Sequence, residues 1–197
     1  MLTLYLNTAT GETNIALFEG TKARAEKHWP SLQNEAEQLQ PAVEKLLSQQ
    51  NLTPSDVQQL AVCIGPGGFT ATRGGVSAAN AWSFAKKIPV AAVTIFDLYP
   101  ADQLIMISSN PHEAWIKEPN NDPEFITTET FSVLSPFSFC GLLSEEWNTF
   151  LKSQGGSESK TPEQLPDLSQ LEFKQQLIKP WYYKDPHITW SKKNREK

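Results

Sequence analysis

The residues with the most chemical potential lie in the stretch Gly65-Pro66-Gly67-Gly68-Phe69-Thr70-Ala71-Thr72-Arg73-Gly74-Gly75-Val76. It follows an apolar strand pattern at residues 60–64 and runs into a helix of small residues. Strand, glycine turn and helix together present backbone N–H groups at a helix N-terminus, where a phosphate binds well. The same arrangement serves a turn that lets a helix pack tightly on a sheet. The local residues leave both readings open. No Lys-Ser/Thr follows the glycines as a P-loop requires, and G-x-G-x-x-G is absent.

Other candidate chemistry is sparse. The loop Leu6-Asn7-Thr8-Ala9-Thr10-Gly11 ends the first strand pattern. An acid there would hold Mg²⁺ and water, but Asn7 is uncharged and a poor magnesium ligand, so a turn-forming role is expected of it. His28, His112 and His187 are the only histidines, with no H-x-x-x-H or H-E-x-x-H pair. No metal site is expected. Cys63 and Cys140 lie far apart, and Cys63 sits in an apolar strand, where a thiol is inert. No serine has a G-x-S-x-G context. The expectation is no catalytic residue and no cofactor.

The elements that position these residues are legible in the first half. Strands are expected over 2–6, 13–18 and 22–29, an antiparallel meander with a turn at Glu19-Gly20. Ser31 should cap a helix whose apolar face is Ala36, Leu39, Val43, Leu46 and Leu47, with Pro41 kinking it or removing one hydrogen bond. Thr53-Pro54-Ser55-Asp56 starts a short helix. A strand over 60–64, a helix from about 74 to 86 and a strand over 90–95 complete a β-β-β-α-β-α-β order. The helix has small or apolar residues nearly all round, which implies cover on more than one side. In the second half, strands are expected over 103–108, 114–117 and 125–131 and a short helix from Ser144, with a polar, mobile stretch at 153–161.

The chain has 197 residues, enough for a sizeable core, and a net charge of −5. A surface that coats nucleic acid is therefore not indicated. From Lys179 onward the balance reverses: Lys179, Lys184, Lys192, Lys193, Arg195 and Lys197 face only Asp185 and Glu196. That end is either a solvated basic terminus or a contact for RNA phosphates. Two reduced thiols, no signal-peptide pattern and no apolar run of about 20 residues predict a soluble cytoplasmic protein that does not enter a membrane.

The glycine segment resembles the GPGSFTGLRIG motif of the bacterial TsaB (YeaZ-like) family. Leu39-Gln40-Pro41-Ala42-Val43-Glu44-Lys45-Leu46-Leu47 resembles the family's L-L-P-x-I-x-x-L-L helix, Ile88-Pro89-Val90-Ala91-Ala92-Val93 its I-P-V-x-x-V strand, and Pro180 to Thr189 its closing P-x-Y-x-R-x-P-x-x-T. The similarity is strong over residues 1 to about 100, patchy to about 160, and returns in the tail. It implies a ribonuclease-H-like fold of the actin-like ATPase superfamily. A full first lobe would span 1–100, with a shortened second lobe and basic tail over 101–197.

The resemblance also implies a non-catalytic subunit that binds and organises a TsaD-like transferase in tRNA N6-threonylcarbamoyladenosine synthesis. A TsaE-like ATPase would dock on that heterodimer, the chain alone would homodimerise, and tRNA contact would be indirect. By the same resemblance Leu39, Val43, Arg73, Val76, Ala79, Asn80, Trp82 and Ser83 lie at or near the partner interface. Two departures remove charge from the cleft: Asn7 stands where the family has Asp, and in Ser108-Ser109-Asn110-Pro111-His112-Glu113-Ala114-Trp115 Glu113 and the aromatic Trp115 keep their places in D-A-R-x-x-E-x-Y while the Asp and Arg are gone. Glu113 is then expected to be structural. Two other readings stay open, a small ATPase or kinase using the glycine turn and an autonomous homodimeric interaction protein.

Overall fold

The structure, a computed structural model, describes residues 1–31, 35–160 and 164–182, with backbone only for 35 and 36. It contains two five-stranded sheets. The first has the order β3-β2-β1-β4-β5, built from β1 (Leu2–Asn7), β2 (Glu12–Glu19), β3 (Lys22–Pro30), β4 (Gln59–Cys63) and β5 (Val90–Val93). β1 pairs antiparallel with β2 and parallel with β4, and β4 is parallel to β5. This is the ribonuclease-H-like arrangement. Every residue of β1 and β4 is buried, as expected for central strands covered on both faces. β3 is the edge strand: Ala25, Lys27 and Trp29 lean on the sheet while Glu26, His28 and Pro30 are exposed, a polar edge that resists pairing with another chain.

Two helices cover one face. α1 (Glu35–Gln49) packs Leu39, Val43, Leu46 and Leu47 onto Leu4, Leu6, Ile15, Leu17, Leu60 and Val62. Pro41 lies on its exposed side, and the helix continues through it. The cap expected at Ser31 cannot be matched to the helix start, because 32–34 lie outside the described residues. α2 spans Phe69–Lys86, so it begins five residues before the expected start at Gly74. Phe69 and Thr70, read as part of the glycine turn, form its first turn instead. Lys87, in the left-handed conformation at φ 56°, and then Pro89 end it. β5 stops at Val93, and Ile95–Leu98 is a 3₁₀ turn rather than more strand.

The second sheet has the order β10-β9-β6-β7-β8. β6 (Leu104–Asn110), β7 (Glu113–Lys117) and β8 (Glu124–Thr127) form an antiparallel meander. β9 (Phe137–Leu142) runs parallel to β6, and β10 (Gly156–Glu158) runs parallel to β9. β10 corrects the expectation of a mobile stretch at 153–161. On the outer face Met106, Ala114, Ile116 and Phe139 pack under α3 (Glu145–Ser153) through Trp147 and Leu151. Ser144 caps α3, its Oγ accepting from Trp147 N at 3.4 Å. The inner face, Ile105, Ile107 and Cys140, joins Tyr5, Ala16, Phe18, Ala61, Cys63 and Val93 of the first sheet in one buried cluster. The two sheets are thus fused through a shared apolar core.

Candidate functional site

The glycine turn, residues 65–68, lies between the loop after β1 and the returning C-terminal segment. Asn7 is fully buried. Its Oδ1 accepts from Ala9 N at 3.0 Å and its Nδ2 donates to Thr10 Oγ1 at 3.3 Å, a self-contained Asx-type turn. Thr8 Oγ1 donates to Ala71 O at 2.6 Å and so ties this loop to the first turn of α2. A Cβ on Gly67 would collide with the Ala9 carbonyl oxygen, and one on Gly75 with the Thr8 hydroxyl. These glycines serve close backbone approach. Gly65, at φ +109°, faces the Trp181 carbonyl.

That carbonyl belongs to a strap that returns from the second lobe. Lys174 pairs with Val90 beside β5, Lys174 O accepting from Val90 N at 2.9 Å. The Asn80 side chain brackets the Ile178 backbone, accepting from Ile178 N at 2.9 Å and donating to Ile178 O at 2.8 Å. Trp181 N donates to Ile64 O at 2.6 Å, and Tyr182 bridges Gly67. The Trp181 ring touches Phe96 at 5.9 Å and Trp115 at 4.9 Å between centroids. The Ala9 loop and the Trp181 strap thus pack against Gly67 and Gly65, while Gly68, Phe69 and Thr70 at the start of α2 stay exposed.

The eight expected interface residues do not share one surface. Leu39, Val43, Val76, Ala79 and Ser83 are buried within the chain. Ser83 Oγ donates to Ile88 O at 2.6 Å, and Asn80 holds the strap. Trp82 is half-buried. It lines an apolar groove of about 430 Å³ between α1 and α2, together with Val43, Leu47, Val57 and Ile88, while Lys86 closes one end on the Pro54 carbonyl. Only Arg73 of the eight is exposed; Asn80 and Trp82 are half-buried. The outward face of α2 is Phe69, Thr70, Arg73, Ser77, Ala81, Phe84 and Ala85, with Phe84 82% exposed. Phe84 was missed by sequence reasoning, although its helical spacing from Arg73, Ser77 and Ala81 was the available signal.

The remaining polar groups are engaged in structure. Asn110 Nδ2 donates to Glu113 Oε2, and His112 N donates to Asn110 Oδ1 at 2.9 Å, closing the β6–β7 turn. Cys63 and Cys140 are buried and form no disulfide, and burial, with Asp102 nearby, pushes the Cys140 thiol up to about 11. A cleft of about 900 Å³ between the two sheets has mixed walls, Thr10, Glu12, Asn14, Glu26, His28 and Gln164 with Leu142 and Leu165. Among the described residues no group of three or more His, Cys, Asp or Glu gathers closely enough to hold a metal ion. No helix among them is long and apolar enough to cross a membrane. The basic residues from Lys184 onward lie outside the described residues.

A family model described as TsaD, tRNA N6-adenosine threonylcarbamoyltransferase, matches residues 30–105. The tRNA threonylcarbamoyladenosine biosynthesis protein TsaB of Bacillus subtilis (strain 168) is 29% identical over 102 residues, which cover 52% of this chain and 44% of that protein. The match thus spans less than half the length of that relative. Among solved structures, YeaZ from Pseudomonas aeruginosa superposes with a TM-score of 0.61 at 20% identity, covering 72% of this chain and 76% of its own. A protein described as similar to peptidase YEAZ from Pseudomonas aeruginosa superposes with a TM-score of 0.62 at 20% identity, covering 71% and 74%. At that identity these two likenesses speak to the fold. The chain therefore shares the fold of YeaZ and is similar in sequence to TsaB over about half its length.

Proposed function

We propose that this chain is a non-catalytic partner subunit in tRNA N6-threonylcarbamoyladenosine synthesis, where it binds and organises a TsaD-like transferase. The likeness to TsaB supports the pathway. One structural contrast carries the non-catalytic part. The glycine turn packs against the chain's own Ala9 loop and Trp181 strap, while the outer face of α2 is left exposed with Phe84 at its centre. A subunit that works by docking needs an available face more than an open cleft. Trp82 and the apolar groove beside it extend that face toward α1. In the same reading the chain alone self-associates through α2, and a TsaE-like ATPase docks on the heterodimer.

Light scattering after size exclusion tests this, using the chain alone and mixed with the TsaD-like protein of its own genome. A one-to-one complex, lost in Phe84→Glu and retained in an exposed control such as Glu129→Lys, is the expected result. No complex with the wild-type chain would overturn the proposal. A melting temperature raised by ATP and Mg²⁺ would favour the ATPase reading instead.

A further inference from the structure

The exposed face of α2 has a second wall and a definite charge. The strap passes Asn80 at Ile178 and Phe69 at Tyr182, so it runs opposite to α2 along one edge of that face. One residue back from Ile178, Leu177 is 76% exposed; one helical turn on from Asn80, Phe84 is 82% exposed. These two apolar side chains therefore flank the Asn80 latch, one from each element. Cations stand around them. Arg73 lies toward one end of α2, Lys87 just beyond the other, and Lys179 on the strap. All three are exposed, and none has a carboxylate partner among the described residues. Lys174, also on the strap, is paired with Glu172 at 2.6 Å. No Asp or Glu occurs in residues 69–96 or 173–182, in a chain whose net charge is −5. The cationic frame stops at the groove, where α1 contributes Glu44.

We propose that α2 and the strap form one docking face, and that it selects a partner helix whose apolar stripe is flanked by Asp or Glu. Leu177 and Phe84 supply the apolar anchors, and Arg73, Lys87 and Lys179 form the rim that decides which charge is accepted. Like charges opposed across such a rim are costly, so a lysine-flanked helix is rejected. Nucleic acid would use the cations alone and leave both apolar side chains in water. The identity of the partner as a TsaD-like chain rests on the proposed function; the charge preference does not.

The test is fluorescence anisotropy of the full-length chain with two labelled helical peptides. Both carry the same leucine stripe, flanked by Glu in one and by Lys in the other. Bulk charge favours the lysine peptide, because the chain is acidic. The expected preference has the opposite sign: the glutamate peptide binds about tenfold more tightly at roughly 50 mM salt, and the margin narrows by roughly 500 mM. Leu177→Ser should weaken the glutamate peptide about fivefold or more. Lys179→Glu should erase most of the preference. Lys22→Glu, the same charge change at the far edge of the first sheet, should leave it intact. Equal affinity, a preference for the lysine peptide, or no binding of either at roughly 1 mM would overturn the inference. If duplex RNA displaces the glutamate peptide while Leu177→Ser and Phe84→Glu leave its binding unmoved, the cations serve phosphates and the inference fails. If the heterodimer forms and is lost in Phe84→Glu but the peptides show no charge preference, the subunit role stands and this inference fails. If no heterodimer forms and the glutamate peptide still binds with the stated preference, the proposed function fails and this face stands.

Discussion

The two faces of α2 follow opposite rules. The inward face is Thr72, Gly75, Val76, Ala79 and Ser83, small side chains that let the helix axis sit close to β1 and β4. The outward face carries the bulk: Phe69 and Phe84, with Arg73 between them. A helix stabilised only by its own fold places its large apolar residues inward. This one packs Val76 and half-buried Trp82 inward but leaves Phe84 outward, so its inner residues set stability and Phe84 is available for association. The contrast also separates glycines that look alike in sequence. Gly67 and Gly75 touch other parts of the chain, whereas Gly68 and Gly74 have nothing within 4 Å of an added Cβ.

The largest expected effect breaks the inner side. Gly67→Ala drives a Cβ into the Ala9 carbonyl oxygen, a backbone atom with little room to yield. It should cost about 3 kcal/mol, read by urea unfolding. Gly74→Ala, by contrast, removes backbone freedom from the unfolded chain and meets nothing, so it should stabilise by about 0.5–1 kcal/mol. If both substitutions destabilise equally, the distinction between touching and free glycines is wrong. Phe84→Glu should leave the unfolding midpoint within error and weaken the proposed heterodimer about tenfold or more. Asn80→Ala falls between the faces. It strips both hydrogen bonds from the Ile178 backbone and should cost about 2 kcal/mol, with amide exchange accelerated over residues 174–182.

Much of the first lobe was legible because its punctuation is strong. Gly20, Pro54 and Gly65 to Gly68 separate runs of clear period, and the β-β-β-α-β-α-β order follows from them. The start of α2 was misread because Gly74-Gly75 looks like an opening, when Gly75 is an interior contact with Thr8. In the second lobe β9 escaped because Gly141, at φ 132°, interrupts Phe137–Leu142, and β10 is a three-residue polar edge held by backbone pairing to β9. β10 has no side-chain pattern to read, and in β9 only Phe137-Ser138-Phe139 alternates. The site was legible as a segment and not as a surface. A helix with small residues on every side does not announce which side is buried, and that depends on Thr8, Ala9 and a strap about a hundred residues away. Asn80 shows the limit: its partner, Ile178, is fixed by topology alone.

The smallest expected effect concerns a turn below the groove between α1 and α2. Asp56 accepts from the Thr53 backbone N–H and hydroxyl, both at 2.7 Å, and these bonds hold its carboxyl below the usual range, with Lys86 adding a weaker pull. A depressed carboxylate contributes stability that is present above its unfolded value, near 4, and is lost as pH falls through its folded value. The wild-type chain should therefore lose slightly more stability than Asp56→Asn between about pH 5 and pH 3, with the two converging at the acid end. Differential scanning calorimetry across that window measures it. Cys140 supplies the opposite control. Its raised thiol stays protonated through neutral pH, and with Cys63 it should resist alkylation at pH 8 until urea opens the shared core. A thiol that reacts in the native state at the rate of a free cysteine would mean that the two sheets part readily. The shared apolar core would then not be what joins them.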